Sequence, residues 1–140
     1  MKKIMMFLVF AVLMFLISCG GSDSGSGGIS GYITEATSGE PIANAKVVLE
    51  MYFENQAAVN DYFNENEDAK FSIIGESILT GSDGMFEFID LTSGIYVISV
   101  SKDGYEYEDK DVDSYWVTVK DKIVRYNIQL REHRSWDGDY

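Results

Sequence analysis

From residue 29 onward, apolar side chains recur at alternate positions, and Gly-containing turn signals interrupt the pattern at short intervals. Alternation places successive side chains on opposite faces of an extended chain, so it predicts half-buried strands rather than helices, whose period is about 3.6 residues. Ile29-Ser30-Gly31-Tyr32-Ile33-Thr34 alternates and runs into Thr37-Ser38-Gly39-Glu40-Pro41, a turn carrying the chain's one Pro. Ala45, Val47, Leu49 and Met51 are expected on one face of the next strand, with Lys46, Glu50 and Tyr52 mainly on the other. Ser82-Asp83-Gly84 reads as a hairpin turn, with Gly available for positive φ. Phe86 and Phe88 then share a face, Thr92-Ser93-Gly94 turns the chain, Tyr96, Ile98 and Val100 line up, and Lys102-Asp103-Gly104 closes that strand. Two more strands are expected at Tyr115–Val119 and Ile123–Leu130, the second with Val124, Tyr126, Ile128 and Leu130 on one face. The expected fold is all-β, a single antiparallel β-sandwich of about seven strands over residues 29–130.

Residues 54–70 interrupt this pattern as an inserted loop. Within it, Gln56-Ala57-Ala58-Val59-Asn60-Asp61-Tyr62-Phe63 suits one or two helical turns, and the acidic Asn64-Glu65-Asn66-Glu67-Asp68 follows. Loops of this length inside a compact domain tend to be functional or mobile. Residues 131–140 form a polar tail that contains Trp136 and Tyr140.

The first segment reads as an address. Met1-Lys2-Lys3 is a short basic start, and the apolar run Ile4–Ile17 leads to Ser18, the lone Cys19 and Gly20-Gly21. At about 1.5 Å per residue this run spans about 21 Å as a helix, short of the roughly 30 Å hydrocarbon core and typical of a secretion signal. The junction Leu16-Ile17-Ser18-Cys19-Gly20 resembles the lipobox of bacterial lipoproteins. That resemblance implies that residues 1–18 are a lipoprotein signal peptide, cut before Cys19, and that Cys19 carries acyl chains. The alternative is an ordinary secretory signal with an incidental Cys. Two or three acyl chains anchor a protein stably where one does not, at about 0.8 kcal/mol per buried methylene. Position 20 is Gly rather than the Asp associated with inner-membrane retention, which permits outer-membrane placement. Residues 19–28, rich in Gly and Ser, are expected to be the flexible tether between lipid and domain.

Composition narrows the chemistry. Lys and Arg number 11 against 23 Asp and Glu, a formal charge of −12, which argues against binding nucleic acid through a basic face. Removal of residues 1–18 takes away Lys2 and Lys3 and no acid, so the mature chain is more acidic still and is repelled by anionic lipid; a tether, rather than the protein surface, must hold it to a membrane. One Cys and one His leave no internal disulfide, no Cys-based zinc site and little triad chemistry. Apolar residues at 46% and aromatics at 14% require a packed core.

Five segments together resemble the carboxypeptidase regulatory-like domain, a transthyretin-like β-sandwich. They are Gly31-Tyr32-Ile33-Thr34; Thr37 to Val47, with Gly39-Glu40-Pro41-Ile42-Ala43-Asn44-Ala45 at its centre; Thr80-Gly81-Ser82-Asp83-Gly84-Met85-Phe86; Leu91-Thr92-Ser93-Gly94-Ile95-Tyr96; and Gly104-Tyr105. They occur in the family's order, with Asn44 where Gly is commoner, a replacement that the tolerance of Asn for left-handed backbone makes inexpensive. The resemblance implies an accessory or structural module rather than a peptidase. The related hydrolases of purine breakdown use several His and Arg residues and a C-terminal Tyr-Arg-Gly-Ser signature, which the ending Trp136-Asp137-Gly138-Asp139-Tyr140 lacks.

The candidate sites are few. No catalytic residue is expected: His133 lies in the polar tail, where a lone imidazole is usually solvated, and Cys19 is assigned to lipid. Asp109, Asp111 and Asp113 have the D-x-D-x-D spacing of a calcium loop, but Ser114 and Lys120 stand where its Gly and Glu belong, so no metal or other cofactor is expected. Trp116 is expected to face away from Tyr115, Val117 and Val119, and with Tyr105 and Tyr107 it is a candidate aromatic platform for a sugar ring. The alternative is that these rings cover the outer sheet face or pack on the 54–70 loop. The favoured reading is a non-catalytic, lipid-anchored β-sandwich of the bacterial cell envelope, facing periplasm or exterior, that serves as a structural or protein-interaction module. The second is a surface glycan-binding lipoprotein. The expected partners are the membrane, through the lipid, and an envelope protein or glycan.

Overall fold

A computed structural model describes residues 26–109 and 112–133 of the chain. Cys19, the segment 1–18, Asp111 and the tail from residue 134 lie outside the described residues. Among the described residues nine strands and one helix follow in the order β1 Gly27–Glu35, β2 Lys46–Phe53, α1 Gln56–Phe63, β3 Ser72–Leu79, β4 Met85–Leu91, β5 Gly94–Ser101, β6 Tyr105–Tyr107, β7 Tyr115–Val119, β8 Ile123–Arg125 and β9 Ile128–Glu132. They form two sheets. One has the order β4-β1-β9-β6, with β8 also paired to β1, and the other the order β3-β2-β5-β7. The β-sandwich read from the alternation is therefore present, with more strands than the expected seven.

The core lies between the sheets. Ile29, Ile33, Val47, Leu49, Ile98 and Ile128 are fully or almost fully buried there, with Phe86, Phe88, Val117 and Leu130 beside them. These are the alternating positions, so the period-two pattern marks the inward face of each strand. The pairing is mainly antiparallel, but β1 runs parallel to both β8 and β9.

The expected strand Ile123–Leu130 is interrupted at Tyr126-Asn127. Ser30 stands opposite Arg125 and Ile33 opposite Ile128, so β8 and β9 keep a single register along β1 across the break. At the break a Cβ on residue 31 would collide with the Tyr126 carbonyl, which is why Gly occupies that position. Tyr126 N–H donates to the Ser30 carbonyl at 2.7 Å, and the Asn127 side chain, in place of a backbone carbonyl, accepts from Tyr32 N–H at 3.0 Å.

Three further expectations are corrected. The turn at 82–84 is real but is not a hairpin: like those at 92–94 and 102–104, it carries the chain from one sheet to the other, because β3 and β5 belong to one sheet and β4 and β6 to the other. Turn chemistry is local and does not specify which layer receives the next strand. Next, Met51 does not share a face with Leu49. A bulge falls between them, so Leu49 pairs with Ile98 but Met51 with Val97. The extra residue reverses the facing, sending Tyr52 into the main core and Met51 and Phe53 outward. Finally, Gly27 and Gly28, read as tether, are buried in β1 and pack against the turn at 120–122 and the backbone of Phe88.

Bulge and helix explain one another. Phe53, turned outward by the bulge, would be exposed, yet it is fully buried because α1 covers it with Ala58 and Val59. The helix starts at Asn55, whose side chain accepts from Ala58 N–H at 3.0 Å, and ends at Asn64, beyond which Glu65 adopts φ 54°.

Thr80 ties the turn after Ile42 to the body of the domain. It is 2% exposed; its hydroxyl donates to the Ile42 carbonyl at 2.6 Å and accepts from Ala45 N–H at 2.9 Å. Its own N–H and carbonyl bond to Ala45 and Asn44, the latter at φ 55°. Thr80→Val keeps the shape but leaves the Ala45 N–H and Ile42 carbonyl without this partner, and is expected to cost about 1–3 kcal/mol in urea unfolding. Gly31→Ala forces Tyr126 away from β1 and is expected to cost about 2–3 kcal/mol or more, seen as a lower unfolding midpoint.

Candidate functional site

Two surfaces combine exposed aromatic or apolar groups with open backbone or polar side chains. The first lies on the outer face and free edge of the sheet β3-β2-β5-β7. Five rings gather there: Phe53 lies 5.5 Å from both Tyr62 and Trp116 and 5.9 Å from Phe71, Tyr62 and Phe71 are 5.1 Å apart, and Phe63 is 5.5 Å from Trp116. Phe53 is the buried hub, while Phe63 is 65% exposed and Trp116 37%.

Beyond this cluster runs β3, in which every residue is exposed. Among the described strands it pairs only with β2, so one of its edges presents unpaired N–H and carbonyl groups. Ile73, Ile74, Ile78 and Leu79 lie on it, Phe71 immediately precedes it, and Glu76 is its one charged residue. Ile73 pairs with Met51 and so projects on the same side as the aromatic cluster, whereas Ile78 pairs with Val47 on the side of the core. A bulge with Gly75 at φ 71° bends the strand midway.

The second surface is a groove of about 800 Å³ where β8 gives way to β9. Thr34, Gln129 and Arg131 line it from β1 and β9, and Glu108 and Asp109 from the segment after β6. Arg131 Nη2 lies 3.7 Å from Glu108 Oε1, an exposed pair that contributes little to stability. Tyr32, Tyr115 and Tyr126 supply its rings; Tyr115 and Tyr126 are 5.7 Å apart, and Tyr107 stands edge-on to Tyr115 at 5.4 Å. Burial, with the neighbouring Tyr107 and Tyr126 hydroxyls and the acids Asp109 and Glu108, pushes Tyr115 up to about 12. Burial also raises Tyr107, against the opposing effect of the Val100 N–H that donates to its hydroxyl at 2.7 Å.

The expected platform of Trp116, Tyr105 and Tyr107 is not assembled. Trp116 lies on the outer face of β7 with its ring 5.5 Å from that of Phe63 of α1 and tilted by 38° to it, as the packing alternative has it. Tyr105 and Tyr107 sit on β6 in the other sheet and pack against the main core, and Tyr107 meets Tyr115, whose neighbour Trp116 points the opposite way along β7. Alternation alone separates 115 from 116, so no shared ring surface is formed. Sequence reasoning did not select Tyr32, Asn127 or Gln129 for the groove; their alternation with the core positions of the first and last strands was the only signal. His133 is exposed, and its backbone N–H donates to the Gly104 carbonyl at 2.7 Å. Among the described residues no group of three or more His, Cys, Asp or Glu is placed to hold a metal ion, and no helix is long and apolar enough to cross a membrane.

A two-layer β-sandwich with inter-sheet turns at Gly84, Gly94 and Gly104 and a Thr-pinned turn before β2 defines the class. The family model of the carboxypeptidase regulatory-like domain matches residues 28–131, and the chain belongs to that family. Among solved structures, the pilus 2b backbone protein of group B streptococcus shares the fold with TM-score 0.53 at 18% identity, over 76% of this chain and 41% of that one. The minor pilin GBS52 of Streptococcus agalactiae matches with TM-score 0.53 at 17% identity, over 83% of this chain and 48% of that one. The major pilin SpaD of Corynebacterium diphtheriae matches with TM-score 0.52 at 13% identity, over 76% of this chain and 30% of that one. This chain thus spans less than half the length of each of these pilins, and the likeness is one of fold. No curated protein matches the chain.

The tyrosine cluster predicts a pH response. Because the folded state holds the Tyr115 proton more tightly than the unfolded chain does, this contribution is intact below the ordinary value of 10 and is lost as pH rises from there through about 12. A spectrophotometric titration of the folded protein is expected to show late-ionising tyrosine, and Tyr115→Phe is expected to remove the part that ionises near pH 12.

Proposed function

We propose that this chain is a non-catalytic, lipid-tethered module of the bacterial cell envelope that holds a partner protein by accepting one of its strands along β3. The observation that carries this reading is β3 itself, an apolar edge strand exposed at every residue. An extended segment laid beside it gains main-chain hydrogen bonds, and its side chains meet Ile73 on one face and Ile78 on the other. Covering an aliphatic side chain completely stabilises by about 1.5–3 kcal/mol, so a few such contacts support a specific complex once ordering costs are met.

The aromatic cluster extends that surface. Phe63 and Trp116 continue the outward face beyond Ile73, and their rings are held by Phe53 and α1. The bend at Gly75 and the charge of Glu76 oppose indiscriminate pairing, a common protection of natural edges. Family membership supports an accessory rather than catalytic role, and the pilus backbone protein and pilins of the same fold support a structural one. The lipid reading rests on the Leu16–Gly20 junction, and β1 begins only eight residues after Cys19, at Gly27, so a domain tethered there stays close to the headgroups.

Two measurements test the proposal. In bacteria fed an alkyne fatty acid, the full chain is expected to take up label and Cys19→Ser to lose it and leave the membrane fraction; equal labelling of both removes the tether. A photo-crosslinker at Ile73 or Ile78 is expected to give a discrete protein adduct in the native envelope that one at Ile123, exposed on the other sheet, does not. Identical adducts at all three positions, or none, would reject β3 as the docking edge.

A further inference from the structure

We propose that the groove at the β8–β9 break binds a neutral saccharide. This site is separate from β3 and does not depend on it, since the two belong to different sheets.

The groove's chemistry selects the ligand. Its volume of about 800 Å³ falls within the usual range for small-molecule sites and suits an oligosaccharide segment rather than a single small ion. Tyr32, 37% exposed, and the partly buried Tyr115 and Tyr126 offer ring surface, with hydroxyls that both donate and accept. Gln129 stands beside Thr34 in the β1–β9 ladder, placing an amide and a hydroxyl on adjacent strands. Ring faces suit the apolar C–H faces of a sugar, while amide, hydroxyl and carboxylate groups suit its dense hydroxyls.

Other ligand classes fit less well. A phosphate or other anion would meet Glu108 and Asp109, and Arg131, the one cation among the described residues that line the groove, has Glu108 beside it at 3.7 Å. An apolar ligand would strip water from amides, acids and a guanidinium without replacing their hydrogen bonds. A cation suits the rings and acids but must share the groove with Arg131. A neutral polyol uses both the donors and the acceptors and brings no charge of its own.

The frame of the groove is fixed by hydrogen bonds and one close backbone approach. The Asn127 side chain is held by the Tyr32 N–H, and Tyr126 by its backbone bond to Ser30 and the close approach to Gly31, so β1 positions both residues at the break. Gln129 and the Tyr32 ring lie on the exposed outer side and can be changed without opening the core.

The test uses the full chain in detergent micelles, titrated calorimetrically with cellohexaose, xylohexaose, mannohexaose and laminarihexaose, and separately with phosphocholine. Saturable binding of at least one hexaose is expected, with Tyr32→Ala and Gln129→Ala each weakening it tenfold or more at an unchanged melting temperature. Trp116→Ala, on the other sheet's outer face, is expected to leave it unaltered. Four results would overturn the proposal: no saturable binding of any hexaose, binding of phosphocholine alone, loss of hexaose binding with Trp116→Ala, or insensitivity to both groove variants. Failure of β3 crosslinking would leave these results unchanged, so the two readings are judged apart.

Discussion

The carbonyl of Tyr126 lies against the bare α-carbon of Gly31, and much of the sandwich is arranged around that approach. β1 is the central strand of its sheet, paired with β4 on one side and with β8 and then β9 on the other. A side chain at 31 would push the last strands off this edge. Without one, β8 and β9 share a single register, and Asn127 replaces the missing ladder contact with its side chain. The same break opens the groove between Tyr126 and Gln129, so a packing constraint and a cavity have one origin.

A second constraint works on the opposite sheet. One extra residue in β2 turns Phe53 away from the core, and α1 is the element that keeps it dry. The insertion at 54–70 is thereby integrated into the domain through Phe53, Val59 and Tyr62, and its rings carry the apolar surface out to Phe63 and Trp116. Thr80, buried against the turn before β2 at the end of β3, explains why a Thr precedes the Ser82-Asp83-Gly84 turn: its hydroxyl serves two backbone groups at once.

Much of the fold was legible because burial of one face writes itself into alternate positions. Val47 and Leu49, Phe86 and Phe88, Ile98 and Val100, and Ile128 and Leu130 all point inward as their spacing implies. The missed features depend on partners distant in sequence. β3 has no alternation to read, since Ile73 and Ile74 are adjacent and neither face is buried. The bulge in β2 is defined only by its pairing with β5, and the turns show no sign of which sheet comes next. The groove joins Tyr32 to Asn127 across most of the domain, so neither neighbourhood announces it. Alternation places Trp116 on its proper face, but a face does not say which rings will meet it.

The crossing turns also set the order in which the domain can be built. From β4 to β8 each strand leaves the sheet of the one before it, and β1 waits for residues near 123–132 to complete its ladder. Such a chain gains little from neighbours in sequence and must close its longest loops before its central strand is secured, which slows assembly. During that interval a newly emerged polypeptide has β1 open as well as β3. Residues 123–132 therefore act as a keystone, seated on β1 from far along the chain.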